Sequence, residues 1–229
     1  MIGIVIPTHE RPRLLHRALA SLRDQTRPDW QAIVVKNGDR LPAEYAEVRA
    51  AWRGEGRIRF LHHPVAGLPV ALNQGLRVVE GSYLSILEDD DEWEPTFLEE
   101  MARCLDSRPE VDVVYCDQAE YEGGRIVNRV GPPAGPFQRW RLLQGNWIAF
   151  PMAMFRRECL QTLGDLDELC DGATDWDTWL RLSRRHRFLH LERVLVKHHW
   201  HGENLSLDRT RMDPASALVR RRIRRAYYG

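Results

Sequence analysis

Four consecutive acids, Glu88-Asp89-Asp90-Asp91, form the densest run of chemistry-bearing side chains in this 229-residue sequence. Carboxylates crowded this closely repel one another. A hard divalent cation that prefers oxygen, Mn²⁺ or Mg²⁺, relieves the repulsion and can also neutralise a diphosphate. The same acids would serve equally as a solvated turn entering a helix, where negative charge suits the helix dipole. A second group, Thr174-Asp175-Trp176-Asp177, offers Asp175 as a proton acceptor, while Thr174 and Asp177 have the spacing of a capping box. A helix N-terminus lowers a carboxylate pKa, so the base and the cap pull Asp175 in opposite directions. His198, His199 and His201 crowd together further on, and imidazole can join carboxylates around a metal.

These groups need elements to position them. Ile2, Ile4, Val5 and Ile6 read as a buried parallel strand ended by Pro7, and Leu14, Leu15, Ala18, Leu19 and Leu22 recur at helical spacing to about Gln25. Ala32 to Val35 predict a second strand, broken at Asn37-Gly38-Asp39. The pattern then repeats: a strand at Ile58 to Leu61, a helix face of Ala71, Leu72, Leu76 and Val79, and a strand at Tyr83 to Leu87 that runs into the acidic cluster. Pro95 opens a helix with Phe97, Leu98, Met101 and Leu105, and Val111 to Tyr115 supply a further strand. This alternation predicts an α/β fold, a mainly parallel sheet flanked by helices. Ligands of such sheets bind beyond the carboxyl ends of the strands, where Glu88 to Asp91 stand. Later come a hairpin turn at Gly123-Gly124, a loop at Gly131-Pro132-Pro133-Ala134-Gly135-Pro136, a helix near Gln138 to Leu143, an apolar segment from Ile148 to Phe155, and a helix from Asp175 to about Arg185.

Composition narrows the function classes. With 33 basic and 33 acidic residues the chain is formally neutral, which gives no case for a nucleic-acid partner. All the basic residues but Lys36 and Lys197 are arginine. The four cysteines form no Cys-x-x-Cys pair, so neither a zinc ribbon nor a redox dithiol is expected, and Cys104 and Cys116 read as buried thiols. The opening MIGIVIPTHERP has no charged leader and too short an apolar run to span a bilayer, so a cytoplasmic location is expected.

The segments IVIPTHERPRLLHRALASLRDQT, AIVVKNGD and GLPVALNQGLRVVEGSYLSILEDDDEWEP resemble the donor-binding half of a family 2 glycosyltransferase with the GT-A fold. FRRECLQTLGDLDELCDGATDWDTWLRL and HHWHGENLS resemble its acceptor half, and the resemblance runs to about Ser206. It implies one GT-A domain over 1–229, with a nucleotide-sugar half at 1–117, an acceptor half at 118–206 and a basic C-terminal helix or tail at 207–229. Pro7, Thr8, His9 and Glu10 would lie beside the base and ribose. Asn37 takes the place of a base-reading aspartate, Lys36-Asn37 replacing the usual acidic pair, and an amide both donates and accepts where a carboxylate only accepts. Glu88 and Asp90 match the two acids of the Asp-x-Asp motif, Glu88 or Asp89 facing the ribose and Asp90 holding the metal. Asn73 matches a polar position near the donor sugar, with a helix-surface amide as the alternative. Asp175 matches the catalytic base, Thr174 replacing the common glutamate before it, and Asp177 is left as a cap. Trp147 and Trp176 fall on the acceptor side, whereas Trp179 reads as core. His201, with Asn204 and Ser206, matches a His-x-x-x-x-Ser tail that contacts metal or phosphate, and His198 and His199 are set aside.

The activity so implied is an inverting, Mn²⁺- or Mg²⁺-dependent transfer of a sugar from a UDP-, GDP- or dTDP-sugar to a hydroxyl of a glycan, polysaccharide or lipid-linked acceptor. A nucleotidyltransferase would need a Gly-rich basic loop where Pro7-Thr8-His9-Glu10 stand. A sugar-nucleotide binding module without catalysis would fit Lys36-Asn37 and Thr174. The tail sets Leu218, Val219, Ile223 and Tyr227 among five arginines, which suits either an anionic membrane surface or a solvated basic helix.

Overall fold

The computed structural model describes residues 1–131, 135–202 and 204–228. The first alternating stretch folds as β1 (Ile2–Thr8), α1 (Pro12–Arg23), β2 (Trp30–Asn37), α2 (Ala43–Ala51), β3 (Ile58–His63), α3 (Leu68–Val78) and β4 (Tyr83–Ile86). The chain continues through β5 (Glu92–Trp93), α4 (Phe97–Asp106), β6 (Val113–Glu122), β7 (Arg125–Val130), α5 (Arg139–Leu142), β8 (Ala153–Arg156), α6 (Cys159–Leu163), α7 (Thr174–Leu182), β9 (Phe188–Trp200) and α8 (Arg209–Tyr228). Pro132, Pro133 and Ala134, on which part of the loop expectation rests, lie outside the described residues.

Among the described residues, one sheet runs in the order β3-β2-β1-β4-β8-β6-β9-β5, with β7 paired to β6. β3, β2, β1 and β4 are parallel, Ile4 standing opposite Ala32 and Ser85. Every residue of β1 is buried, as a strand covered on both faces requires. The strand does not stop at Pro7 but carries it. Val5 O accepts from Leu87 N, so Val5 faces β4, and Pro7, two residues on, faces the same way beyond the end of β4. No ladder donor is lost there. Gly75 lets α3 settle on this strand, since a Cβ at that position would lie 2.4 Å from Val5 Cγ1.

The other half of the sheet is mixed. β8 runs antiparallel to β4 and β6, β6 and β9 are parallel, and β5 is antiparallel to β9. β9 shows no clean alternation in the sequence because Glu192 and Arg193 interrupt it and the pairing with β6 shifts register around Asp117. Trp179 is fully buried, as expected of a core residue, its Nε1 donating to Ile148 O at 2.7 Å. All four cysteines are free and buried.

The arginine-rich tail is a helix whose apolar residues turn inward. Ala215 and Val219 are buried, Leu218 and Ile223 pack against the core, and Arg222 reaches Asp167 and lies 2.9 Å from Asp177 Oδ1. The apolar face of this helix is used inside the protein, and Arg220, Arg221, Arg224 and Arg225 are left on its exposed side. The side chain of Tyr227 lies outside the described residues. Among the described residues, no helix is long and apolar enough to cross a membrane.

Candidate active site

The acids sit where β1 and β4 end. After Thr8 the chain turns sharply at Glu10, whose φ of 52° is the left-handed conformation that a side chain rarely adopts. The turn aims Arg11 at the cluster, with Nη2 2.5 Å from Asp89 Oδ1 and Nη1 2.7 Å from Asp90 Oδ2. Thr8 Oγ1 donates to Asp89 Oδ2 at 2.6 Å, and Arg17 Nη2 donates to the Asp90 carbonyl at 2.7 Å. The antiparallel register of β5 and β9 pairs Glu92 with Lys197, and the next step of that register brings His198 to Asp91, Nδ1 to Oδ1 2.9 Å. His199 Nε2 lies 2.7 Å from Glu92 Oε1 and His201 Nε2 3.2 Å from Asp90 Oδ2. The two histidines set aside at the sequence level therefore also hold acids of this region. Neither signal was readable before β9 was paired with β5.

Burial shapes the electrostatics. It pushes Glu88 well above the usual carboxylate range, with Asp90, Asp91 and Asp175 adding repulsion. Burial also pushes Asp89 up to about 7, against the pull of Arg11, and raises Asp91 against the pull of His198. For His198, burial favours the neutral ring, but Asp91 and then Asp90 outweigh it and leave the imidazole raised. Carboxylates in this state either keep protons or take a cation. Glu88, Asp90 and Asp91 can each offer an oxygen within 4.8 Å of the others, a hard-oxygen set that fits Mn²⁺ or Mg²⁺.

At the end of β2, Asn37 knits the neighbouring loops together. Its Nδ2 donates to Thr8 O at 3.0 Å and its Oδ1 accepts from Gly67 N at 3.1 Å. Gly67 adopts φ 143°, which a side chain would resist, and precedes α3. Lys36 folds under this corner, fully buried, with Nζ 2.5 Å from Asn37 O, and burial lowers its pKa. His9 Nδ1 lies 2.9 Å from the same carbonyl. One donor and one acceptor site of the Asn37 amide are thus occupied within the protein.

Across a cavity of about 1210 Å³ stands Asp175, in the first turn of α7. Asn146 Nδ2 donates to its Oδ2 at 2.7 Å and Trp176 N to its Oδ1 at 2.8 Å. Burial nevertheless pushes Asp175 up to about 6. The expected capping box does not form. Ala173 is the N-cap residue, the Thr174 hydroxyl turns back to Cys170 O at 3.1 Å, and Asp177 pairs with Arg222 instead of capping. Tertiary ion pairing satisfies Asp177 more fully than a local backbone N–H would.

Pro7, Thr8, His9, Glu10, Asn37, Glu88, Asp89, Asp90, Asp175 and Trp176 all line this cavity. Asn73 and Trp147 do not. Asn73 is buried on α3, its Nδ2 donating to Leu166 O at 2.9 Å and its Oδ1 accepting from Leu166 N at 2.8 Å, which uses one donor and one acceptor site of the amide. It is not a surface amide, and it stands off the cavity lining. Trp147 packs edge-on against Tyr115 at 5.5 Å and tilted against Phe137 at 5.8 Å, partly buried beside the core, and its neighbour Asn146 reaches the cavity instead. Trp176 donates through Nε1 to Leu142 O at 2.7 Å, so only part of the ring meets the cavity. His201 stands behind Asp90 rather than on the lining. The sequence reading missed Arg11, Asn146, Asp171, Arg211 and Arg220. Arg11 is adjacent to the quoted motif, and the other four required the tertiary fold.

The profile of glycosyl transferase family 2 matches residues 3–164. The O-antigen biosynthesis protein RfbC of Myxococcus xanthus is 30% identical over 187 residues, 80% of this chain and 14% of that protein. Chondroitin synthase of Escherichia coli is 24% identical over 212 residues, 90% of this chain and 30% of its own length. This chain therefore spans less than a third of either relative. S. aureus TarS residues 1–349 in complex with UDP-GlcNAc superposes with a TM-score of 0.77 at 17% identity, covering 95% of this chain and 65% of that one. The Pyrobaculum calidifontis mannosyltransferase PcManGT in complex with GDP-Man and Mn²⁺ gives 0.71 at 18% identity over 96% and 64%. Sheet, acidic cluster and profile agree, and the chain belongs to glycosyl transferase family 2, with the GT-A fold.

Proposed function

We propose that this protein transfers one sugar from a nucleoside diphosphate sugar to a hydroxyl acceptor, with inversion, in a metal-dependent single displacement. The observation that carries this reading is one cavity lined on one side by the acidic cluster and on the other by Asp175, close enough that Asp175 raises the pKa of Glu88. Asp90, with Glu88 and Asp91 beside it and His201 behind, would hold Mn²⁺ or Mg²⁺, whose chemistry is to neutralise the charge of the leaving diphosphate. Asp89 is kept in place by Thr8 and Arg11 and faces the ribose side with Glu88. Pro7, Thr8, His9, Glu10 and Asn37 form the floor for base and ribose. Asp175 takes the acceptor's proton as its oxygen attacks the anomeric carbon, and a base that titrates near 6 is largely ionised at neutral pH while still accepting a proton.

The ligands of the structural neighbours, UDP-GlcNAc and GDP-Man with Mn²⁺, support a nucleotide-sugar donor of this class. A cytoplasmic place, beside the cell's nucleotide sugars, follows from that donor. Replacing Asp175 by Asn is expected to reduce transfer by about 10²–10⁴-fold while leaving Mn²⁺-dependent nucleotide binding intact. Full transfer activity in that variant with a working acceptor would remove Asp175 from its role. Failure of UDP, GDP and dTDP alike to bind with Mn²⁺ would remove the donor assignment.

A further inference from the structure

Arg11, Arg211 and Arg220 line the cavity. Arg11 is held by Asp89 and Asp90, and Arg211 Nη2 lies 2.5 Å from Asp171 Oδ2, so both charges are answered within the protein. Arg220 is answered only by a ring: its Cζ stands 5.5 Å from the centre of Trp176, and it makes no ion pair with any described residue. Its position follows from the way α8 is seated. Ala215 and Val219 face the core and Arg222 is tied to Asp167 and Asp177, which leaves Met212, Ser216 and Arg220, four residues apart, as the stripe along the cavity. Trp176 follows Asp175 in the chain, and Asn146, which holds Asp175, lines the same wall. A guanidinium resting on an indole is oriented by the ring and keeps its N–H fork for another partner.

We propose that Arg220 is the anion-binding element of the acceptor subsite, and that the acceptor carries a carboxylate or phosphate near the hydroxyl that receives the sugar. This inference rests on the assignment of Asp175 as the base. The fork of Arg220 grips that anion in two parallel hydrogen bonds, which fixes the acceptor against the Asp175 wall. The donor diphosphate would be served from the acidic side of the cavity, where Glu88, Asp90 and Asp91 could hold its cation. The exposed Arg221, Arg224 and Arg225 lie outside the cavity lining and serve as the internal comparison.

Calorimetric titration of wild type, Arg220→Gln, Arg220→Lys and Arg224→Gln with glucuronate, glucose 6-phosphate and glucose tests the assignment. UDP, GDP and dTDP with Mn²⁺ are titrated in parallel. Wild type is expected to bind both anionic sugars at least about tenfold tighter than glucose, the scale of one charge-assisted contact. Arg220→Gln should abolish that preference, Arg220→Lys should keep part of it, and Arg224→Gln should keep all of it, with nucleotide affinity unchanged in every variant. Equal binding of charged and neutral sugars to wild type overturns the proposal. So does an equal loss in Arg224→Gln, which would point to a diffuse basic surface of the kind anionic membranes attract, and so does a loss confined to the nucleotides, which would move Arg220 to the donor. Nucleotides that fail to bind wild type overturn the donor assignment alone, because the preference for anionic sugars is read in a separate titration.

Discussion

Asp175 owes its proton affinity to opposing neighbours: burial raises it to about 6, while the Trp176 N–H and the Asn146 amide pull it down. Transfer should therefore fall as pH drops through about 6, where the base becomes protonated. Removing the amide with Asn146→Ala should move that acidic limb to higher pH and slow transfer several-fold at pH 6.5, as a pH-rate profile would record. A limb that stays in place would detach Asn146 from the base. The stability sign is the reverse of the usual aspartate case. A carboxyl whose folded pKa lies above its unfolded value binds more protons when folded, so its contribution falls as pH rises from about 4 towards 6. Asp175→Asn should thus melt no lower than wild type above pH 6, which separates a catalytic loss from a folding defect. Asp175 was legible in the sequence because its motif is local. Asn146 was not, because 29 residues and a turn of the fold separate it from its partner.

Two elements position the cavity walls through single side chains. Asn73 clips α3 to Leu166 through both ends of its amide. Asn73→Ala leaves a buried N–H and C=O without partners and should cost about 2–3 kcal/mol, seen as a lower Tm with nucleotide affinity retained. A selective loss of nucleotide binding would instead return Asn73 to the donor site. Arg222 anchors α8 on Asp167 and Asp177. Because its side chain is partly exposed, Arg222→Ala should cost only about 1–2 kcal/mol, lowering Tm by about 2–4 °C for each kcal/mol. The strands β1, β2 and β4 were legible as apolar β-branched runs. β9 was not, since a strand half covered by β6 and β5 and crossed by register shifts carries no clear period. The helical period of the tail was legible too, but which neighbour its apolar stripe would meet was not.

At the scale of the whole molecule, the acidic cluster stores charge repulsion that a divalent ion would release. Its raised acids favour the protonated folded state, so between the ordinary carboxylate range and about 7 the metal-free protein loses stability from this cluster as pH rises. Mn²⁺ should therefore raise Tm more at pH 8 than at pH 5.5, and a concentration of 100 times Kd should add about 2.7 kcal/mol. Thermal melts with and without Mn²⁺ at the two pH values check this, and an equal shift at both would argue against metal binding by these acids. The sequence by itself determined the α/β alternation, the parallel strands of the first half and the acids at the strand ends, because each depends on local period and residue type. Only the tertiary structure decided that Asn37 and Asn73 are occupied within the protein, that His198 meets Asp91, and that α8 brings Arg220 to the Asp175 wall. Those relations are set by strand register and helix packing, which bring together residues far apart in the chain whose types alone name no partner.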